Sequence, residues 1–247
     1  MSGQILVIRG YGQFTARLIG SGHPVINLDL IRTEPVENLS DLRNKISRLD
    51  EYDGVFVTSP VAAEILVAEL DRASRRFTGR TYVLGSRSKE LLEDAGLNVV
   101  FRDAANTAEE LIRSFESGEF ADKRLLFIRG DRSMRTIPRL LDGVCRIEEV
   151  EVYRTVENPP DMAIRRSVGQ QLSSGQIAWI CFFSPSGVES FLRLFGREAV
   201  NRARVAVIGE TTARPLQDEG IHVDLVSPKA RSDEFAESLI ERLKNFG

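Results

Sequence analysis

The 247-residue sequence is poor in the side chains that most metal and nucleophile chemistry requires: it has only two histidines and two cysteines. His23 and His222 lack ligand-like neighbours and no CxxC pair occurs, which argues against a zinc site. With no paired histidine, Walker loop or GxSxG elbow, the sequence does not support a hydrolase triad or a nucleotide-binding loop. Cys145 and Cys181 lie in strand-like segments and are expected to be reduced core residues.

The sequence also lacks a long apolar run and a strong excess of charge. No segment approaches the ~20 apolar residues of a membrane span, and the chain enters a strand-like segment at 5–8 without a signal-peptide pattern. We therefore expect a cytoplasmic protein that does not enter a membrane. A formal net charge of −3 argues against nucleic-acid binding. Lysine is scarce, with 5 residues against 28 arginines, and arginine can bind carboxylates through two hydrogen bonds.

One stretch organises the rest of the chain. The apolar run 178–183 stops abruptly at 184–187, Ser-Pro-Ser-Gly, which is typical of a buried strand followed by a turn. The apolar residues that follow have helical spacing. Ser186 with Glu189 fits a capping box, so the pattern predicts that a helix begins at Ser186.

The same strand–turn–helix unit occurs earlier in the chain, and its equivalents lie 124 or 125 positions apart. The equivalent pairs are Ser59 and Ser184, Gly85 and Gly209, and Gly96 and Gly220. Both copies end in a helix with a polar start, and Thr107 with Glu110 predicts a second capping box. Each copy, which we call a B segment, carries three short strands that alternate with helices.

A second repeat interleaves with the first. Residues 5–10 match 125–130, and residues 30–33 match 152–155. Each of these A segments is predicted to be strand–helix–strand, so the chain has the order A, B, A′, B′. Alternating strands and helices predict parallel sheets covered on both faces. One A with one B supplies the five strands of a flavodoxin-like doubly wound domain.

Spacing alone leaves two ways to combine the segments. Adjacent pairing gives two tandem domains, and crossed pairing gives a discontinuous first domain with a second one inserted. The extended runs 28–34 and 148–156 suit a two-stranded hinge, and only the short polar stretch 117–123 separates B from A′. Both features favour crossing, with a cleft between the domains. The expected α/β domains are 1–35 with 153–247, and the inserted 36–152.

Hydroxyl-bearing turns follow the predicted strands at four places, and each opens a helix. They are Thr58-Ser59, Ser86 to Ser88, Ser184 to Ser186, and Thr211-Thr212. Such turns offer backbone N–H groups and the positive end of the helix dipole, which suit carboxylates. Simple N-capping explains any one of them taken alone. Their recurrence at equivalent positions favours a binding site.

The chain resembles the uroporphyrinogen-III synthase family over essentially its full length. The motifs that carry the resemblance are Val57-Thr58-Ser59-Pro60, 182–188 (FFSPSGV), 206–213 (AVIGETTA) and Val152-Tyr153-Arg154-Thr155. The resemblance implies two flavodoxin-like domains with crossed connectivity, joined by a two-stranded ladder, and no cofactor. It implies cyclisation of hydroxymethylbilane, a linear tetrapyrrole with eight carboxylates, to uroporphyrinogen III with inversion of the terminal ring and loss of water.

The implied reaction needs positioning more than chemical activation, because the substrate's electron-rich pyrrole expels its own hydroxyl group. Tyr153 is the expected weak acid, since it lies on a family motif; the alternative is an aromatic residue that packs on a hinge strand. The first copy departs from the second at 85–89, although Ser88 keeps a hydroxyl. The candidate substrate-binding residues are Thr58, Ser59, Ser88, Arg129, Ser184, Ser186, Thr211 and Thr212.

The expected partners are few. We expect a monomer that binds the linear tetrapyrrole and, in passing, the preceding hydroxymethylbilane synthase, and that binds neither nucleic acid nor membrane. The rival hypothesis is a non-catalytic two-domain cytosolic small-molecule binding or sensor protein, which would share two α/β lobes and a hinge.

Overall fold

The computed structural model describes residues 3–116 and 118–244. Ser117, at the start of the polar stretch 117–123, lies outside the described residues, as do both ends of the first expected domain. The chain divides into two compact units, residues 1–32 with 156–247 and residues 33–155.

Strands and helices alternate along most of the chain. The strands are β1 (Gln4–Ile8), β2 (Val25–Asn27), β3 (Ile31–Pro35), β4 (Gly54–Val57), β5 (Arg80–Val83), β6 (Asn98–Phe101), β7 (Arg124–Gly130), β8 (Arg146–Glu157), β9 (Ile177–Phe182), β10 (Arg204–Val207) and β11 (Leu225–Val226). The helices are α1 (Gln13–Gly20), α2 (Ser40–Ser47), α3 (Pro60–Arg72), α4 (Ser86–Asp94), α5 (Ala108–Arg113), α6 (Thr136–Leu140), α7 (Met162–Ser173), α8 (Pro185–Phe195), α9 (Arg197–Val200), α10 (Glu210–Asp218) and α11 (Ser232–Lys244). A short 3₁₀ turn spans Leu49–Glu51.

The first unit is built on one parallel sheet in the order β11-β10-β9-β1-β2. Its strands come from segments A and B′. Successive side chains of a strand point to opposite faces of this sheet, and apolar side chains bury both faces. On β9, Ile180 and Phe182 join one apolar cluster, and Trp179 and Cys181 join the cluster on the other face. The predicted buried strand at 178–183 is confirmed.

The second unit contains a sheet in the order β3-β8-β7-β4-β5-β6, in which the pairs from β8 to β6 run parallel. Apart from β3, its strands come from segments B and A′. Apolar side chains again cover both faces, with Val55 and Val57 in one cluster and Phe56 in the other. The mixed α/β fold with parallel sheets, as expected from the sequence, is confirmed.

Helix starts agree with the sequence at one predicted capping box and differ at the other. Thr107 and Glu110 form the reciprocal box at the start of α5. The box predicted at Ser186 and Glu189 is wrong: α8 begins at Pro185, and Ser184 is the N-cap, its Oγ accepting the N–H of Gly187 at 3.1 Å. The physical reason is Pro185, whose fixed φ and missing N–H suit the first helical position, so the N-cap is Ser184, two residues before the predicted Ser186.

A charged network in the second unit is centred on Glu148 of β8. Its carboxylate accepts hydrogen bonds from Lys45 and Tyr52, each at 3.0 Å, and from Arg124 at 2.8 Å. Burial by itself would raise the pKa of Glu148, but these donors outweigh it and lower the pKa to about 2. Burial, together with the bond to Glu148, raises the pKa of Tyr52 to about 12.

The described residues carry neither a membrane-crossing helix nor a cluster of metal ligands. None of their helices is long and apolar enough to span a bilayer. Within the same residues, no three His, Cys, Asp or Glu side chains come together as a metal site would require. Cys181 is fully buried and Cys145 half-buried, and both are free thiols.

Candidate functional site

In each unit there are two neighbouring strands whose following connections lead to opposite sides of the sheet. In the first unit these strands are β1 and β9, and in the second they are β7 and β4. In open parallel sheets, ligands bind outside the carboxyl ends of the strands at such a reversal. The relevant segments are therefore 9–12 and 183–186 in the first unit, and 130–135 and 58–59 in the second.

Ser184 and Ser186 lie together after β9, with their hydroxyl oxygens 3.2 Å apart. The Ser184 hydroxyl already caps α8, whereas Ser186 makes no backbone capping bond in the described part of the chain. Simple N-capping therefore accounts for the Ser184 hydroxyl. Both hydroxyls are half-buried at the carboxyl end of the strand.

Thr211 and Thr212 occupy the first turn of α10. Thr211 is exposed and Thr212 is buried. The N-cap of this helix is Gly209, which has no side chain to accept a hydrogen bond from the first turn. Gly12 stands in the same relation to α1, so both helices begin without a side-chain cap.

Arg9 and Asp29 are functional candidates that the sequence reasoning missed. The Arg9 guanidinium lies over the ring of Phe183 at 5.1 Å and donates to the Ser232 hydroxyl at 3.2 Å. Burial raises the pKa of Asp29, an effect that the charge of Arg9 opposes. The repeat in the sequence indicates Arg9, because it is the equivalent of the candidate Arg129, 120 positions away.

In the second unit, Thr58 and Ser59 end β4 in the way that Phe183 and Ser184 end β9. The Ser59 hydroxyl accepts the N–H of Ala62 at 3.1 Å and caps α3. Both side chains are half-buried. Thr58 directly follows the carboxyl end of β4, one of the two strands at which the strand order reverses.

Ser88 is the third residue of α4 and is fully buried. Its hydroxyl has no hydrogen-bond partner among the described residues, which is unusual because buried polar groups are nearly always paired. The N-cap of α4 is Gly85, at a φ of 86°, and it gives no side-chain cap. Ser88 thus lies at an uncapped helix start and is the equivalent of Thr212.

Arg129, near the end of β7, is surrounded by carboxylates. Its guanidinium lies 2.7 Å from a carboxylate oxygen of Glu149 and 2.8 Å from one of Glu151. It also donates to the carbonyl of Gly130 at 3.0 Å. A substrate carboxylate at Arg129 would compete with these two acids. Its equivalent, Arg9, forms no ion pair within the described residues.

Tyr153 lies on β8 directly beside the end of β7, where it is paired in register with Gly130. Its ring is half-buried and packs against the apolar cluster on one face of the sheet. Among the described residues its hydroxyl has no hydrogen-bond partner. The structure thus brings Tyr153 and Arg129 to adjacent strands of one unit, and Ser184, Ser186 and the start of α10 to adjacent strands of the other.

Comparison with known proteins identifies the family. A family model described as uroporphyrinogen-III synthase HemD matches residues 12–237. The chain belongs to the uroporphyrinogen-III synthase family. This is a family of enzymes, and the resemblance inferred from the short motifs is confirmed.

Relatives and solved structures agree with this assignment. The uroporphyrinogen-III synthase of Chlorobaculum parvum is 28% identical over 205 residues, covering 79% of this chain and 82% of the relative. The crystal structure of a mutant uroporphyrinogen III synthase from Thermus thermophilus matches with a TM-score of 0.65 at 14% identity, over 99% of this chain and all of that one. The enzyme from Helicobacter pylori matches with a TM-score of 0.61 at 17% identity, over 97% and 99%. These structures have the same fold.

Proposed function

We propose that this protein cyclises hydroxymethylbilane to uroporphyrinogen III, with inversion of the terminal pyrrole ring and loss of water, as a step of tetrapyrrole biosynthesis. Membership of the uroporphyrinogen-III synthase family supports the reaction. The structural observation that carries the proposal is the set of helix starts at the carboxyl ends of the strands. Three helices of eight residues or more, α1, α4 and α10, begin at glycines without a side-chain cap.

These starts suit a polyanionic substrate. The first N–H groups of a helix have no partner within the helix, and the helix dipole adds a partial positive charge. Where a serine caps the helix, its oxygen takes one of these donors; where glycine stands, the donors remain for a ligand. We infer that substrate carboxylates bind these N–H groups, with Thr58, Ser59, Ser88, Ser184, Ser186, Thr211 and Thr212 adding hydroxyl contacts.

Arg9 is a stronger candidate than Arg129 for direct contact with a carboxylate. Arg129 has two acids within 2.8 Å, whereas among the described residues the Arg9 guanidinium donates to a neutral hydroxyl and acts on the Asp29 carboxylate through its charge, without a hydrogen bond. Because arginine binds a carboxylate through two parallel hydrogen bonds, an arginine whose N–H groups are not already bound to carboxylates has more donors available for the substrate. In this proposal Arg129 acts mainly by holding Glu149 and Glu151 at the end of β7.

Tyr153 is proposed as the weak acid. The C–O bond of the substrate's hydroxymethyl group breaks as the pyrrole nitrogen lone pair forms an azafulvene, and the departing oxygen takes a proton to leave as water. A phenol hydroxyl can donate that proton and recover it from the pyrrole that is attacked later. The Tyr153 hydroxyl has no hydrogen-bond partner among the described residues, so it is free to donate a hydrogen bond to the substrate. Positioning of the terminal ring then decides which carbon is attacked.

We propose that the two units are flavodoxin-like domains with crossed connectivity, since each contains the strand order 2-1-3-4-5 when its strands are numbered from the A segment. We propose that β3 and β8, where the chain passes from one unit to the other, form the hinge. We also propose a cytoplasmic monomer that contacts the preceding hydroxymethylbilane synthase only transiently.

The deciding experiment is a product analysis. The purified protein is incubated with enzymatically generated hydroxymethylbilane, and the products are oxidised and separated as isomers I and III. A synthase yields mainly isomer III, whereas a non-catalytic binding or sensor protein leaves only isomer I, formed at the rate seen without protein. The second outcome would refute the proposed reaction.

A further inference from the structure

Tyr11 is a large aromatic side chain held out into solvent at the strand-order reversal of the first unit. It lies in the loop between β1 and α1 and is 72% exposed. Single exposed apolar residues are common on protein surfaces and by themselves mean little. The position of Tyr11 distinguishes it, because this loop follows one of the two strands that flank the expected binding crevice.

The backbone around Tyr11 leaves its ring uncovered. It is flanked by Gly10 and Gly12, and a Cβ built on Gly12 would have no atom within 4 Å. On Gly10, a Cβ would come 3.3 Å from a carboxylate oxygen of Asp29. The loop is therefore open on the Gly12 side, where a planar group could reach the ring face.

The equivalent loop of the second unit shares this property. It follows β7, the counterpart of β1, and carries Met134, which is 63% exposed. Both loops at the reversals thus present a large apolar side chain to solvent. Met134 is not the repeat equivalent of Tyr11, since the shift of 120 relates Tyr11 to Asp131; the two loops share only the exposure of one large apolar side chain.

We propose that Tyr11 binds the face of a pyrrole ring of the linear tetrapyrrole, and so helps to fix the substrate's bend. The inference rests on the proposed function and extends it. Backbone N–H groups bind carboxylates but give no contact to the flat, electron-rich pyrroles, which require an apolar or aromatic surface. An offset stack or edge-to-face contact with tyrosine supplies one. Loss of such a contact is expected to weaken substrate binding about 3- to 10-fold.

The test compares Tyr11→Phe, which keeps the ring, with Tyr11→Leu, which removes it. Ile19→Ala is the matched control, because Ile19 is 50% exposed at the C-terminal end of α1, which leads to the amino end of β2 and so lies away from the carboxyl ends of the strands. Steady-state kcat and KM and the ratio of isomer III to isomer I are measured for each variant. We expect Tyr11→Leu to raise KM about 3- to 10-fold and to increase the share of isomer I. Tyr11→Phe and Ile19→Ala should match the unmodified protein.

The outcomes separate this inference from the reaction itself. If the unmodified protein forms isomer III and Tyr11→Leu keeps its KM and product ratio, Tyr11 does not contact the substrate while the proposed function stands. If Tyr11→Phe loses as much as Tyr11→Leu, the hydroxyl is responsible and the stacking contact is refuted. Absence of isomer III with the unmodified protein would refute the function and this inference with it.

Discussion

The ring of Tyr153 occupies the space that a side chain on Gly130 would need. A Cβ built on Gly130 would lie 2.3 Å from Cζ of Tyr153 and 2.8 Å from its hydroxyl oxygen, and the two residues are paired in register across β7 and β8. The position of the proposed acid therefore depends on a glycine in the neighbouring strand.

Gly130→Ala should displace the Tyr153 ring. We expect a loss of about 1–3 kcal/mol in the free energy of unfolding, as for other overpacked sites, with a fall in isomer III yield. Gly169→Ala is the control, because it lies in α7 with nothing within 4 Å of the new Cβ; it should stabilise by up to about 1 kcal/mol. Urea unfolding and product analysis measure both effects. Unchanged activity in Gly130→Ala would mean that the ring position is unimportant.

Tyr153→Phe should slow the reaction without unfolding the protein, because the ring and its packing remain. Removing one donor from a site with many should lower kcat by about 5- to 150-fold, or roughly 1–3 kcal/mol. As the enzyme slows, spontaneous closure should raise the share of isomer I. Wild-type kinetics in a folded Tyr153→Phe protein would leave Tyr153 as a packing residue only.

Ser184→Ala and Ser186→Ala should differ in stability. Ser184 caps α8, so its loss should lower the free energy of unfolding by about 1 kcal/mol, whereas Ser186→Ala should fall within about 0.5 kcal/mol of the unmodified protein. Chemical denaturation of the two variants measures the difference. An equal loss would contradict the assignment of the cap to Ser184.

Ser88→Ala separates a binding role from a structural one. Because the buried hydroxyl has no partner among the described residues, its removal should leave stability unchanged or raise it by up to about 1 kcal/mol. If the hydroxyl binds substrate, the rate of isomer III formation should nevertheless fall. A destabilised variant with full activity would overturn both expectations. Thermal unfolding and the isomer assay, on the same preparation, give the two readouts.

Glu148→Gln should change the acid dependence of stability. The pKa of Glu148 is lowered in the folded protein to about 2, so its stabilising contribution is complete above about pH 4.5 and is lost as the pH falls towards 2. The variant should therefore be less stable than the unmodified protein at pH 7, and the difference should shrink between pH 5 and pH 3. Urea unfolding at each pH tests this.

Glu64→Gln is the control for Glu148→Gln, because Glu64 is exposed on α3 and forms no ion pair in the described part of the chain. It should have little effect at any of these pH values. A difference between Glu148→Gln and the unmodified protein that stays constant with pH would mean that the network does not depend on the charge of Glu148.

The sequence alone determined the local units and their repetition. The strand at 178–183, the turn after it and the capping box at Thr107 could be predicted because each depends on neighbours a few residues away in the chain. The same local patterns, repeated at intervals of 120 to 125 residues, led to the α/β fold with parallel sheets and to the family motifs. The start of α8 was misplaced only by the preference of Pro185 for the first helical position.

Tertiary structure decided what depends on residues far apart in sequence. Spacing left open which A and B segments share a sheet, because pairing energy depends on long-range packing rather than on local pattern. Arg9 and Arg129 are equivalent in the repeat, yet only Arg129 has two acids against its guanidinium, since Glu149 and Glu151 lie on the strand beside it. A repeat preserves residue types, but the neighbours that set their charge and access come from the fold.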